Sequence, residues 1–458
     1  MKRIMNFKTV FAAAFTLFLL VSCSDDDNGP GVIIEPDPTI VDLAIATPDL
    51  SNLVAALQEA GLVSTLEGAG PYTVFAPTND AFAAFLNENG FASVADIPDD
   101  VLTQVLLNHV VSGTNLSSSL STTYISSSST AGVDGKPLSL FVDTSDGVKI
   151  NGASVVTPDI EASNGVVHIV DQVIGLPNIV DHALNNGALT ELVGALTADG
   201  NTTFTDLLSS TDEVFTVFAP VNDGFTAFDN PAGNDINNIL SNHVIVGSAL
   251  AAADLSNSYA NTAATNEDGD FLSIYVNTDD GVTLNGTSSV AIADIVATNG
   301  IIHAVDMVID LPTVVTFATA DSENFSTLAA ALTADGQPDF VATLSTPWGT
   351  APAPFTVFAP VDGAFAELAS IPEGDALTAV LQHHVIAGAN IVSGDLSDGL
   401  TSPATLEGDA LTFTEAGDSF TITDGAGNSG INIAVANVQA INGVVHAIDK
   451  VLIPDTSN

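Results

Sequence analysis

The sequence predicts a tandem array of three globular domains, each mixing helices and strands. Three observations carry that expectation. The stretch Thr73-Val74-Phe75-Ala76-Pro77, followed by Phe82, recurs from Thr216 to Phe225 and from Thr356 to Phe365. A second box recurs in step, as Asn108-His109-Val110-Val111, Asn242-His243-Val244-Ile245 and His383-His384-Val385-Ile386. A third closes each copy: Asn164 to Asp171, Asn299 to Asp306 and Asn442 to Asp449, each reading Asn-Gly, two β-branched residues, then His168, His303 or His446. The order never changes, and a period of roughly 140 residues is the size of a single domain, far above a solenoid repeat.

Each first box reads as a buried strand passing directly into a helix. Val and Phe alternate with small residues, and Pro77, Pro220 or Pro360 ends the ladder because proline has no N–H to donate. Thr78 or Asp80, Asn222 or Asp223, and Asp362 can cap and charge the first turn that follows. Phe75, Phe218 and Phe358 are core anchors by this pattern.

In domain one, Leu50, Leu53, Val54, Leu57 and Leu62 keep near-helical spacing, with Ser51 and Asn52 at the start. Phe82, Phe85 and Leu86 give the next helix its inner face, and Val101, Val105 and Leu106 lead into His109. After a Ser/Thr-rich stretch, Leu138 to Val142, an Asp146-Gly147 turn and Val148-Lys149-Ile150 read as a β-hairpin. Domain two repeats the plan with almost no linker. Domain three adds the insertion Thr346-Pro347-Trp348-Gly349, which carries the single Trp of the chain.

The three boxes together resemble the fasciclin-like domain, over nearly everything from about Ile40 to Pro454. That resemblance implies an α+β fold in which a β-sandwich wedge is wrapped by short helices. It also implies extracellular adhesion or ligand binding, with no cofactor and no catalytic residue. The resulting layout is a lipoprotein signal at 1–22, an acidic, Pro-rich tether at 23–38, and domains at 39–177, 178–312 and 313–455. Junctions this tight favour restrained domain orientations.

The N-terminus is a short basic region followed by an apolar run from Val10 to Val21, too short to span a membrane and shaped like a secretory signal. It ends Leu20-Val21-Ser22-Cys23, which resembles the bacterial lipobox. There the Cys is lipidated and becomes the first residue. Cys23 is the only cysteine, so no disulfide can form within the chain. Ser24-Asp25-Asp26-Asp27-Asn28-Gly29-Pro30 is a flexible tether by composition. It also resembles the acidic export signal that takes lipoproteins of Bacteroidetes-type bacteria to the outer face of the outer membrane. The expected location is therefore the cell envelope, as a surface-exposed outer-membrane lipoprotein.

Charge excludes some partners. There are 55 acidic residues against 6 basic ones, a formal net charge of −49. Nucleic acid requires a basic face and is a poor partner; a bare anionic membrane would repel the domains. Such a surface works first as a solvation device. Asn266-Glu267-Asp268-Gly269-Asp270 and Asp424-Gly425-Ala426-Gly427-Asn428 approach a calcium loop without completing its ligand pattern.

Histidines invite a metal or catalytic reading, but the pattern favours structure. His109, His243 and His384 follow apolar helical positions, as core histidines bonded to backbone do; His168, His303 and His446 sit within strands. Two boxed histidines and no cysteine leave each domain short of a zinc set. His182, unique to domain two, reads as superficial. No nucleophile elbow, phosphate loop or dinucleotide fingerprint is present, so no metal, cofactor or enzyme activity is expected.

In animal members of the family, adhesion is attributed to an Asp-Ile pair before the closing box and to a Tyr-His pair in the central one. Asp159-Ile160 and Asp294-Ile295 preserve the first and are the candidate ligand surface. Ala436-Asn437 stands there in domain three. The Tyr is replaced by Asn108, Asn242 or His383, so an integrin-type contact does not carry over. A turn or capping role competes for Asp159 and Asp294. The expected partner is an unidentified cell-surface or matrix ligand, protein or glycan. The rival reading is a glycan- or small-ligand-binding accessory lipoprotein with its pocket in domain three, near Trp348.

Overall fold

A computed structural model describes residues 37–455, save 201 and 418. Residues 38–455 form one unit. The signal segment, Cys23 and most of the tether lie outside the described residues. Among the described residues, no single helix is long and apolar enough to cross a membrane.

Domain one starts with α1 (Ile40–Ala46), α2 (Ser51–Glu59) and α3 (Val63–Leu66), then β1 (Tyr72–Pro77) and α4 (Asn79–Glu88). Helix α5 (Asp99–Asn108) leads to β2 (Val110–Ser112), and five strands follow: β3 (Thr123–Ser126), β4 (Ser139–Asp143), β5 (Lys149–Ile150), β6 (Ala153–Ala162) and β7 (Gly165–Val170). Their order across the sheet is β2-β1-β7-β6-β5-β4-β3. Strand β1 runs parallel to β7, and the other neighbours are antiparallel. The ten-residue β6 serves both halves, shifting register twice between Val155 and Ile160.

That bend builds two cores back to back, as the α+β wedge requires. Val74 and Ala76 point to the helices, where they meet Leu53, Leu57, Phe82 and Leu106. Phe75 points the other way, to Leu140, Val142 and Ile150. Covered on both faces, β1 has no reason to alternate polar and apolar residues, hence the apolar box. Thr73 is its one polar member and is satisfied: its hydroxyl donates to Gly113 O (2.7 Å) and accepts from Asn115 N (2.9 Å).

Domain two repeats the plan with α6 (Ile179–Asn185), α7 (Thr190–Leu196), α8 (Thr203–Leu208), β8 (Phe215–Pro220), α9 (Asn222–Ala227), α10 (Ile236–Ser241), β9 (Val244–Val246), β10 (Ser258–Thr265), β11 (Phe271–Asn277), β12 (Thr283–Leu284), β13 (Ser288–Ala297) and β14 (Gly300–Val305). Domain three follows with α11 (Val314–Ala320), α12 (Ser322–Leu332), α13 (Phe340–Leu344), β15 (Phe355–Pro360), α14 (Asp362–Ala366), α15 (Gly374–His383), β16 (Val385–Ala387), β17 (Thr412–Ala416), β18 (Ser419–Thr423), β19 (Ile431–Ala440) and β20 (Gly443–Ile448), one strand fewer.

Capping differs from the sequence expectation. Thr78 does cap α4, accepting from Ala81 N at 3.2 Å. Asn222 and Asp362 do not cap their own helices, whose N-caps Val221 and Val361 offer no side-chain bond. They reach instead to the second helix of the domain. Asn79 Oδ1 accepts from Asn52 N (2.9 Å), Asn222 Oδ1 from Glu191 N (3.0 Å) and Asp362 Oδ1 from Thr327 N (2.8 Å). The acceptor after the strand therefore ties two helices together. Helix α1, with its Thr39–Asp42 capping box, is a further element the apolar spacing did not single out, and Leu62 precedes α3 rather than ending α2.

The Asn-Gly turn of the closing box locks each domain shut. Asn164, Asn299 and Asn442 accept from Ile40, Ile179 and Val314 N at 3.0, 3.1 and 3.0 Å, anchoring the first helix. A Cβ on Gly165 would fall 1.9 Å from Tyr72 O, so only glycine permits the parallel strands to meet there.

The domains are bonded to one another. Ser139 Oγ accepts from Val296 N across the first junction and Ser273 Oγ from Gln439 N across the second, both at 2.9 Å. Tyr124 packs against the core of domain two, and Tyr259 and Tyr275 against that of domain three. The near-calcium loop Asn266–Asp270 belongs to this second junction: Asn390 Nδ2 donates to Asp270 at 3.1 Å. Its Asn266 Oδ1 already accepts from Asp268 N and Asp270 N, and Asp424 is likewise occupied by Asn428 and Ile453.

Candidate functional site

Two boxed histidines form a frame in each domain. His109 caps α5; its Nδ1 donates to Val105 O (2.7 Å) and its Nε2 accepts from Ile174 N (2.9 Å). His243 does the same between Ile239 O (2.8 Å) and Ile309 N (2.9 Å), and His384 between Val380 O (2.7 Å) and Leu452 N (2.9 Å). Each ring thus pins the central helix to the chain leaving the closing strand. Burial depresses all three to about 4, so they are neutral at ordinary pH. With one nitrogen donating and one accepting, neither is left for a metal.

The second histidine sits beside the box Phe. Register pairs Phe75 with His168, Phe218 with His303 and Phe358 with His446, the rings stacking at 5.6, 5.7 and 5.4 Å. Nε2 of each donates to a backbone carbonyl: Asn115 (2.8 Å), Leu250 (2.9 Å) and Ile391 (2.9 Å). Nδ1 accepts from Asp159 N (3.2 Å), Asp294 N (3.4 Å) and Asn437 N (3.3 Å). The frame therefore reaches the candidate adhesion pair.

Asp159, Asp294 and Asn437 occupy one structural position, nine residues before the strand histidine. All three hold left-handed backbone, with φ of 59°, 60° and 62°, a conformation Asp and Asn tolerate better than most residues. Asp159 accepts from Ser117 N (2.7 Å) and Ser117 Oγ (2.5 Å), bonds that hold its carboxyl below the ordinary range. Asp294 accepts from Ala252 N (2.7 Å) and Asn437 from Ser393 N (2.7 Å). The domain-three counterpart is thus Asn437-Val438, one residue later than the Ala436-Asn437 alignment, and it keeps the same geometry. This is a capped bulge.

Accessibility divides the pairs. Asp159 is exposed and Ile160 half-buried, whereas Ile295 is only 1 % exposed. Ile295 therefore drops out of the candidate surface: it belongs to the helix-side core of domain two, a cluster that Tyr124 of domain one packs against. Asp294 itself stays exposed. Asn108, Asn242 and His383, which stand where the family's Tyr would be, are all fully buried.

His182 is also corrected. It is buried, not superficial, because Tyr124 of domain one lies edge-on against it at 5.7 Å. Its Nε2 donates to Val296 O (3.2 Å), its Nδ1 has no partner among the described residues, and burial depresses it to about 4.

Domain three holds a cluster the sequence reading did not assemble: His383, Glu407 and Asp409. His383 Nε2 accepts from Gly425 N (3.1 Å), which places the proton on Nδ1, 3.5 Å from Glu407 Oε2. A cation at Nδ1 would have to displace that proton. The half-buried Trp348 sits in a turn after α13.

Comparison with known proteins gives three matches to one family model, the Fasciclin domain, at residues 48–177, 187–312 and 323–454. Protein sll1483 of Synechocystis sp. is 42% identical over 139 residues, 30% of this chain and 72% of that protein. Human periostin is 25% identical over 450 residues, 92% of this chain, and the transforming growth factor-beta-induced protein ig-h3 of Sus scrofa is 27% identical over 415. The chain spans only 48% of the first and 56% of the second. A solved domain pair from the insect cell adhesion molecule Fasciclin I matches with a TM-score of 0.37 and 20% identity, over 57% of this chain and 96% of that one. The chain belongs to the fasciclin domain family.

Proposed function

We propose that this is a lipid-anchored adhesion protein of the cell envelope, whose fasciclin domains bind a surface or matrix ligand without catalysing a reaction. The observation that carries the reading is the junction chemistry. Three copies of one binding module are held to each other by Ser139–Val296 and Ser273–Gln439 bonds and by shared aromatic packing. Fixed repetition of a module raises avidity without any new contact, provided the ligand is repeated too. Lipid on Cys23 and the acidic tether would display the array on the outer face of the outer membrane. Asp159, half-buried Ile160 and Asp294 are the accessible part of the proposed contact. With a net charge of −49, the ligand would be neutral or basic where it touches the domains.

Protease shaving of intact cells tests the display, with Cys23→Ser as the control. Loss of the protein from intact cells, palmitate labelling that C23S abolishes, and reduced attachment of C23S cells to immobilised matrix are the expected results. Protection until the envelope is opened would overturn surface adhesion.

A further inference from the structure

We infer that domain two is a receptor for a small, neutral, apolar molecule, a function that does not depend on the adhesion reading. Between α6, α7, α8 and the strand β8 lies a cavity of about 280 Å³. The same place in domains one and three holds about 20 and 30 Å³. The chain thus supplies its own controls: one frame, three copies, one opened.

The helical cover of domain two also differs from that of its neighbours. Phe82 and Phe365 are buried in the helix-side cores of their domains, at 1 % and 5 % exposure. Their counterpart Phe225 is half-buried and packs also toward the Ile239, Ala264 and Leu272 cluster. The helix before the His box spans ten residues in α5 and α15 but six in α10, which starts late because Asn230 to Asp235 is spent on a turn and an N-cap. The buried Leu102 and Leu377 are consequently matched by Ile236, 39 % exposed at the first position of α10.

The lining fixes the chemistry of the occupant. Val217, Leu240 and Ile302 form the floor and Leu192, Leu196 and Leu208 the walls. His243 also borders the space, but both its nitrogens are engaged by Ile239 and Ile309. No lysine or arginine lines it, so a carboxylate or phosphate head would be desolvated without a counter-charge. Water is a poor filler, since a buried water needs two to four polar partners; an engineered apolar cavity of roughly 150 Å³ stays dry and takes benzene. A space nearly twice that size suits a bicyclic ring or a medium alkyl chain. Access is through Leu184, 63 % exposed, with Thr197 exposed beside it and Val193 half-buried.

The test uses the chain from Ser24 onward, which keeps every described element, and the neutral fluorescent probe N-phenylnaphthylamine. Saturable binding of one probe per chain is expected, displaced by decanol at least tenfold more effectively than by decanoate. Ala183→Phe, which fills the space from α6, should weaken binding at least tenfold. Val193→Phe, at the rim, serves as a second filled variant should A183F fold poorly. Unsaturable binding, or full affinity in a folded filled variant, would overturn the site. Equal displacement by decanoate would overturn its preference for neutral ligands.

Discussion

Domains two and three share a frame, yet one encloses about 280 Å³ and the other about 30 Å³ at the same place. The boxes are the same: the strand, the capping histidine and the stacked Phe–His pair superimpose in register and bonding. Beside the cavity, the two domains differ in their helical cover, where α15 keeps ten residues and α10 six, and at Phe225, half-buried where Phe365 is buried. The parallel pair at the centre of each wedge, bonded to a neighbour on both sides, is the same in every copy, while the outer strands and the helical cover vary.

The sharpest way to break that comparison is at the cover phenylalanine. Phe82→Ala or Phe365→Ala should cost about 3–5 kcal/mol of their domain's stability, as full core truncations do, and Phe225→Ala roughly 1–2 kcal/mol. Urea unfolding read domain by domain through hydrogen exchange would measure it, and equal losses would mean Phe225 is as much a core residue as its counterparts.

Acid should separate the domains next. His182 is held at about 4 against an ordinary 6.5, so between those values the unfolded chain takes up a proton that the folded chain refuses. Its contribution is intact above about 6.5 and is lost as pH falls toward 4, by up to roughly 3 kcal/mol. His243 adds the same slope within domain two, as His109 does in domain one. His182→Gln should therefore flatten the pH dependence of domain two between pH 6.5 and 4 while leaving domain one unchanged. An unchanged slope would place His182 in contact with water.

The smallest effect distinguishes the two junctions. Tyr259 donates to the buried carboxylate of Asp321 at 2.8 Å, while Tyr124 accepts from the amide of Asn186 at 3.2 Å. Tyr259→Phe strips a donor from a buried acid and should cost about 2 kcal/mol; Tyr124→Phe should cost about 1 kcal/mol. Calorimetry of the two variants, with the second transition moving more than the first, is the expected outcome. Burial also pushes the Tyr124 hydroxyl up to about 12, so it stays protonated throughout.

Much of this molecule was legible in the amino-acid sequence. The three boxes, their order and the strand-to-helix step at Pro77, Pro220 and Pro360 follow from local pattern, because a doubly covered strand must be apolar throughout and a proline must end it. The structural role of His109, His243 and His384 was legible for the same reason: a histidine at the end of an apolar helix face is buried with it. What only the tertiary structure decided lies between the boxes and between the domains. His182 reads as polar and unique, and Tyr124, 58 positions away in the neighbouring domain, lies over it. Ile295 matches Ile160 in sequence, yet one is sealed in the core and the other half-open, since domain one packs against that face of domain two, as domain two does against Val438 of domain three. The cavity left no motif at all. It is a volume enclosed by side chains of α6, α7, α8, α10 and β8, and close packing across distant segments is not written in any one stretch of chain.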